Sequence, residues 1–394
     1  MQINYHPLRK ITGQLHLWLG MVSGLVIIIL GITGCIYSFI DEIRPVVYHD
    51  RIFITPPPAS SKMLPLQELK AIAQKALNKQ VPLMDIEVYT DRKHTMVFRY
   101  RNRNNNANLY TNYFLNYDKV YLNPYTGEIV KVENAKWEFF NIIVMIHCTL
   151  LLGNLGKQII IWCTVIFLIM LISGLILWWP RNQAAARKRF TFNWKKHTSW
   201  KRKNYDLHNV LGFYASIFAL IFSLTGLFYA FFVVQAAFYF IFSGGSTAYP
   251  DFTSIKTKAP IELRTEGTLD KISNTVKAKY PESFGFAIDL GHPHMDDHEH
   301  PNFEVYVKHL SYSYHKSSSL IFDENSGELL HTHDMKDKNF GEKTVGANYD
   351  IHVGSILGLP TKIIAFIVSL ICASLPVTGF LVWWGRRKKA KKAI

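Results

Sequence analysis

Four histidines stand at the heads of apolar runs, and they come as two matched sets. His147-Cys-Thr-Leu-Leu-Leu-Gly153-Asn-Leu-Gly-Lys157 leads into a run ending at Trp178-Trp179. His352-Val-Gly-Ser-Ile-Leu-Gly358-Leu-Pro-Thr-Lys362 leads into one ending at Trp383-Trp384, so that His, Gly, Lys and both Trp match at a single offset of 205. His16 to Gly20 and Thr33-Gly34 to Tyr37 match His208 to Gly212 and Thr225-Gly226 to Tyr229 at an offset of 192. A histidine in an apolar segment normally faces a bundle interior with a partner. Two imidazoles approaching from opposite sides of a bundle supply the axial ligands of a six-coordinate haem iron. Zinc is the competing assignment, but two histidines without Asp, Glu or Cys companions make a poor zinc site.

The small residues and lysines beside the histidines have two readings each. Gly20, Gly34, Gly212 and Gly226 leave room for a flat macrocycle, or let helices pack closely. Lys157 and Lys362 reach haem propionates, or snorkel to lipid head groups. The matched offsets read as a tandem internal duplication. Topology then sorts the histidines into His16 with His208 near one membrane face and His147 with His352 near the other.

The elements that must hold these residues are legible from hydropathy and charge. The chain has 394 residues, 49% of them hydrophobic, and the apolar excess is concentrated near residues 15–40, 158–179, 207–242 and 360–384. Each run reaches the roughly 20 residues needed to cross a bilayer as a helix. The formal charge of +15 is topological in origin. Residues 1–10, 181–203 and 385–394 carry 17 Lys or Arg and no acid, which makes them cytoplasmic under the positive-inside rule. The long segments between them carry 14 bases with 10 acids (41–137) and 11 with 16 (243–346), so neither reads as a nucleic-acid surface and both face outward. The first run is too long for a signal peptide and is expected to stay attached. The four cysteines form no C-x-x-C or C-x-x-C-H motif, so no covalent haem is expected.

The division that follows is residues 1–40, cytoplasmic N-terminus and first span; 41–137, first outer domain; 138–180, outer-face segment and second span. A basic loop (181–204) and a third span (205–242) come next; the second outer domain occupies 243–346. An outer-face segment with the fourth span (347–384) and a basic cytoplasmic tail (385–394) close the chain. The loop is too short for a nucleotide-binding domain, so the electron donor, a quinol or a flavoprotein, is separate. In the first outer domain the periodicity predicts a helix over 66–77 and extended segments at 85–89, 95–100, 113–117, 119–122 and 128–132. The second predicts a helix at 269–280 and strands at 303–308 and 319–323. The tract from His292 to His300, followed by His309, His315, His331 and His333, reads as a solvated polar loop or as a metal-binding, iron-guiding segment.

The turns Val120-Tyr-Leu-Asn-Pro-Tyr-Thr-Gly-Glu-Ile-Val130 and Leu320-Ile-Phe-Asp-Glu-Asn-Ser-Gly-Glu-Leu-Leu330 resemble the strand-turn-strand signature of PepSY domains. With the His-x-x-x-x-x-Gly helix heads and the Trp-Trp helix ends, nearly the whole chain resembles the PepSY-associated transmembrane family, which includes bacterial inner-membrane ferric-siderophore reductases. The resemblance implies an α-helical four-transmembrane-helix bundle with two α+β PepSY-like periplasmic domains. It also implies a metalloreductase that passes electrons through haem b to a ferric siderophore or other ferric chelate, releasing Fe(II) for iron uptake. Two haems are expected, one on His16 and His208 and one on His147 and His352. The alternative is a PepSY-type binding or regulatory membrane protein in which the histidines are structural.

Overall fold

The computed structural model describes residues 6–180, 189–246, 255, 267–290 and 302–390. The described residues form two compact units, one drawn from 1–39, 143–235 and 351–394, the other from 40–142 and 236–350.

The first unit contains four helices long and apolar enough to cross a membrane: Pro7–Ser38, Gly153–Trp178, Trp200–Phe228 and Leu359–Arg387, here spans 1 to 4. Spans 1 and 3 each pack against spans 2 and 4, so 1 and 3 are diagonal to one another. Small residues let the backbones approach: a Cβ on Gly31 would lie 2.7 Å from the Ser369 carbonyl of span 4. A core of Leu171, Ala215, Ala219, Val368 and Cys372 fills the centre. Short helices Phe139–Thr149 and Phe340–Val353 carry His147 and His352 near their C-terminal ends. Spans 2 and 4 follow at Gly153 and Leu359, five residues and one residue sooner than the apolar runs suggest. The apolar stretch 207–242, expected as a single span, is divided: Gly212–Phe228 ends, and Phe232–Phe242 is a separate helix. Residues Leu207–Leu211 form a turn of π-helix around His208. Such bulges recur at functional sites because they turn one side chain out of helical register.

The second unit corrects the expectation of two separate outer domains. Its strands are β1 (Leu83–Tyr89), β2 (Met96–Arg103), β3 (Phe114–Leu122), β4 (Ile129–Asn134), β5 (Gly285–Asp289), β6 (Asn302–Leu310), β7 (Ser313–Asp323) and β8 (Leu329–His333). All eight join one antiparallel sheet in the order β4-β3-β2-β1-β5-β6-β7-β8. The two segments meet at β1 and β5, where Asp85 pairs with Asp289 and Glu87 with Ala287. Strands β5 and β8 were not anticipated. Five-residue strands offer too few alternations to stand out from a loop.

One sheet face is covered by helices Leu66–Leu77 and Thr268–Lys279, which share a single core with Ile86, Phe98, Val120, Ile288, Val305 and Phe322. Helix Leu66–Leu77 buries Leu66, Leu69, Ala73 and Leu77 and ends on Asn78 in the left-handed conformation. The two repeated turns are built alike. Asn123 Oδ1 accepts the Tyr125 amide and Asp323 Oδ1 accepts that of Asn325, followed by Gly127 (φ 72°) and Gly327 (φ 63°). Glycine is required on two counts, since a Cβ on Gly127 would also lie 2.8 Å from Ile72 Cδ1.

Candidate functional site

The four sequence-selected histidines meet as two pairs, all within the span-containing unit. The His16 and His208 rings, from diagonal spans 1 and 3, have centroids 6.5 Å apart at an interplanar angle of 85°. The His147 and His352 rings have centroids 6.1 Å apart at 71°. Two imidazoles bound to one metal at about 2 Å each, on rings of about 1.35 Å bonds, have centroids about 6.4 Å apart. Both pairs stand at that separation.

Each ring is held the same way. His16 Nδ1 is 2.9 Å from Ser173 Oγ, His208 Nδ1 is 2.9 Å from Thr378 Oγ1, His147 Nδ1 is 2.8 Å from Thr33 Oγ1, and His352 Nδ1 is 2.9 Å from Thr225 Oγ1. Every one of these hydroxyls also lies within donating distance of a carbonyl one turn back on its own helix: Met170, Leu375, Ile29 and Ile221. A hydroxyl has one proton to give. The assignment that satisfies all the groups therefore has each hydroxyl donating to its carbonyl and accepting from Nδ1–H. Nε2 is left with its lone pair, as a metal ligand requires.

A glycine follows each hydroxyl and lies against the same ring. A Cβ on Gly174 would be 3.3 Å from His16 Cε1, on Gly379 3.1 Å from His208 Cε1, on Gly226 3.4 Å from His352 Cε1, and on Gly34 3.9 Å from His147 Cε1. The Ser/Thr-Gly dipeptide is thus a cradle used four times: the hydroxyl fixes the ring's rotation and the glycine lets it lie on the helix. The cradles are reciprocal. Span 2 supplies Ser173 to the span 1 histidine, and span 1 supplies Thr33 to the histidine leading into span 2.

Thr33-Gly34 and Thr225-Gly226 were visible as a repeat, but the glycines serve imidazoles. Ser173-Gly174 and Thr378-Gly379 were missed, although they match at the same offset of 205 as the histidine heads. Gly20 and Gly212 play another part. They border a cavity of about 570 Å³ that includes both His16 and His208, and their Cβ positions face Met170 and Leu375 of adjoining spans. The volume is in the range of small-molecule and cofactor sites. Arg9, Arg189 and Arg386 line it. Arg9 donates to the Leu177 carbonyl and Arg189 to that of Trp178. The equivalent lysines diverge: Lys157 is exposed, whereas Lys362 is 1% exposed.

Among the described residues no group of three or more His, Cys, Asp or Glu side chains gathers to hold a metal ion. The later histidines of the second sheet half are engaged locally, His309 with Ser318, His315 with buried Asp350 and His333 with Glu342. The tract from His292 to His300 lies outside the described residues.

Four apolar spans and an antiparallel sheet unit define a multi-pass membrane protein. Residues 14–386 match the family model for the PepSY-associated TM region, and the chain belongs to that family. No curated protein matches it.

Proposed function

We propose that the protein is a transmembrane electron carrier that holds two b-type haems and reduces ferric chelates on the outer side of a bacterial inner membrane. The observation that carries this reading is the pair of imidazole couples, each at the separation of two ligands on one metal and each with Nδ1 committed to a hydroxyl. The donor chemistry fits haem iron: each pair offers two imidazoles with Nε2 free to ligate, and among the described residues no third His, Cys, Asp or Glu joins them to complete a zinc site. Haem, when bound, supplies reversible one-electron transfer.

The chain's own residues supply the rest. His16 with His208, and His147 with His352, are the residues that would hold the haems. Arg9, Arg189 and Arg386 provide positive charge beside the first pair, where carboxylate substituents need it. One electron delivered to Fe(III) in an oxygen-donor chelate gives Fe(II), which such ligands hold far less well, so no acid-base machinery is needed for release. Under the positive-inside rule the basic segments support a cytoplasmic position for His16 and His208 and a periplasmic one for His147 and His352.

The test is optical. Purified protein should show a Soret band and two low-spin haems per chain. After reduction with dithionite and removal of excess reductant, a ferric siderophore should reoxidise it, with Fe(II) captured by a ferrous-specific dye. A colourless protein from haem-replete cells would favour a binding or regulatory membrane protein. Reduced bands that persist with several chemically different ferric chelates would exclude iron reduction.

A further inference from the structure

Only three residues separate the end of span 3 at Phe228 from helix Phe232–Phe242, and that helix contains no charged residue. Its two sides are used differently. On the inward side Gln235 Nε2 donates to the Phe228 carbonyl at 2.9 Å, and the Tyr239 hydroxyl accepts from Asn339 Nδ2 at 3.0 Å. The Phe242 ring meets Phe340 edge-on at 5.8 Å, and a Cβ on Gly341 would lie 2.8 Å from Ser243 Cβ and 3.0 Å from the Tyr239 ring. The outward side is a stripe of Phe232, Val233, Ala236, Ala237, Phe240 and Ile241, the spacing of one helix face. All six are exposed among the described residues, Phe232 to 80% and Val233 to 76%. A contiguous apolar patch of this kind marks a contact surface, unlike a single exposed apolar side chain.

Position, length and polar satisfaction together indicate what covers the stripe. Four chain steps of at most about 3.6 Å keep Phe232 within about 14 Å of Phe228, so the stripe starts at the margin of the bilayer that span 3 crosses. Eleven residues at about 1.5 Å each make a helix about 16 Å long, half of a hydrocarbon core of about 30 Å, which enters one leaflet or lies along it without crossing. In lipid every polar group must find its partner within the protein. Gln235 and Tyr239 both do so on the inward side. The Val234 and Gln235 amides bond to the Phe231 carbonyl, and the Ser243 and Gly245 amides close the other end on the carbonyls of Tyr239 and Phe240. A protein partner would call for a polar rim, with about one hydrogen bond per 100–200 Å² of interface. The stripe offers no side-chain donor or acceptor. In the first half the helix at the matching offset of 192, Ile40–Val47, carries Asp41, Glu42 and Arg44, so the wholly apolar stripe belongs to the second half alone.

We propose that helix Phe232–Phe242 is a membrane anchor in addition to the four spans, with its stripe against the acyl chains of the leaflet in which span 3 ends. The anchor does not depend on the haem reading. Its inward side holds Asn339 and Phe340, where the helix bearing His352 begins.

The experiment places photoreactive p-benzoylphenylalanine at single positions of the full-length protein, in nanodiscs of phosphatidylethanolamine and phosphatidylglycerol, and reads adducts by intact mass after irradiation. Lipid adducts should form in place of Phe232 and Phe240, as they should at exposed Ile217 of span 3, and should be absent at exposed Glu68 of helix Leu66–Leu77. Stripe positions that give no lipid adduct while Ile217 does, or that cross-link to a second copy or to another part of the chain, would overturn the proposal. Thermal melting in the same nanodiscs gives a second readout. Val233→Asp puts an acid in the first turn of the helix, where the helix dipole favours it, so in water the melting temperature would stay level or rise. Against acyl chains it should fall, while Val233→Ile keeps the parent value. A Val233→Asp protein that melts at or above the parent would place the stripe in water and remove the anchor.

Discussion

The two halves of the chain agree in the membrane unit and diverge on the sheet. In the spans every histidine of the first half has its counterpart, its hydroxyl and its glycine in the second, down to hydrogen bonds of 2.8 to 2.9 Å. On the sheet the fold repeats, with matching turns and one shared core, but the polar face changes from Arg99, Arg101 and Lys119 to Tyr306, Lys308 and Ser319. On the haem reading proposed above, two ligands on one metal would leave little latitude in ring position or tautomer, which accounts for the cradle kept in both halves.

Removal of a ligand should give the largest effect. His147→Ala and His352→Ala should each lose the same single haem while retaining the other, and His16→Ala and His208→Ala should do the converse, read from haem per chain and the low-spin electron paramagnetic resonance signals. A wild-type stoichiometry of one haem would break the equivalence of the halves.

The glycine cradles grade the next effect by distance. Gly379→Ala, with a Cβ 3.1 Å from His208 Cε1, should disturb its haem signal more than Gly34→Ala, where 3.9 Å is ordinary contact. Equal disturbance would mean that the glycines serve helix packing. Smaller again is loss of a hydroxyl. Thr378→Val and Thr33→Val should weaken retention of the corresponding haem by about 10- to 100-fold, the usual cost of removing a group that orients a metal ligand. Thr378→Ser should restore the wild-type spectrum. A valine variant with unchanged haem retention and potential would assign Nδ1 to another partner.

The junction of the sheet halves supplies the smallest and most selective effect. Burial raises the Asp85 carboxyl to about 6 over the opposing pull of Arg99, helped by Glu87 and by Asp289 directly across the strand. Its neighbour Glu87 goes the other way. Burial would raise it, but Arg99 and Lys119, with the Tyr89 hydroxyl donating at 2.9 Å, hold it at about 2. A carboxyl raised in the folded state contributes stability at low pH that is lost as pH rises from about 4 through 6, at most about 3 kcal/mol for a shift of about two units. Asp85→Asn should therefore raise the melting temperature at pH 7.5, leave it unchanged near pH 4 and flatten the profile between. Glu87→Gln should lower it at pH 7.5. The same sign for both would show that Arg99 does not divide the two acids in this way.

The sequence by itself determined the four spans, the pairing of the histidines and the repeated turns. Each rests on a pattern carried by contiguous residues: some 20 apolar positions, a fixed offset, or an Asn or Asp ahead of a glycine at positive φ. It also marked Thr33-Gly34 and Thr225-Gly226 without revealing what they touch. Only the tertiary structure decided that a hydroxyl from one span meets a histidine from another, since Ser173 and His16 are 157 positions apart. Mid-helix Ser and Gly are common for other reasons, so nothing local distinguishes a cradle. The tertiary structure likewise joined two expected domains into one sheet, because β1 and β5 each present an open edge and pairing those edges satisfies their backbone hydrogen bonds. The tertiary structure also shows which of the two equivalent lysines is buried, Lys362 and not Lys157.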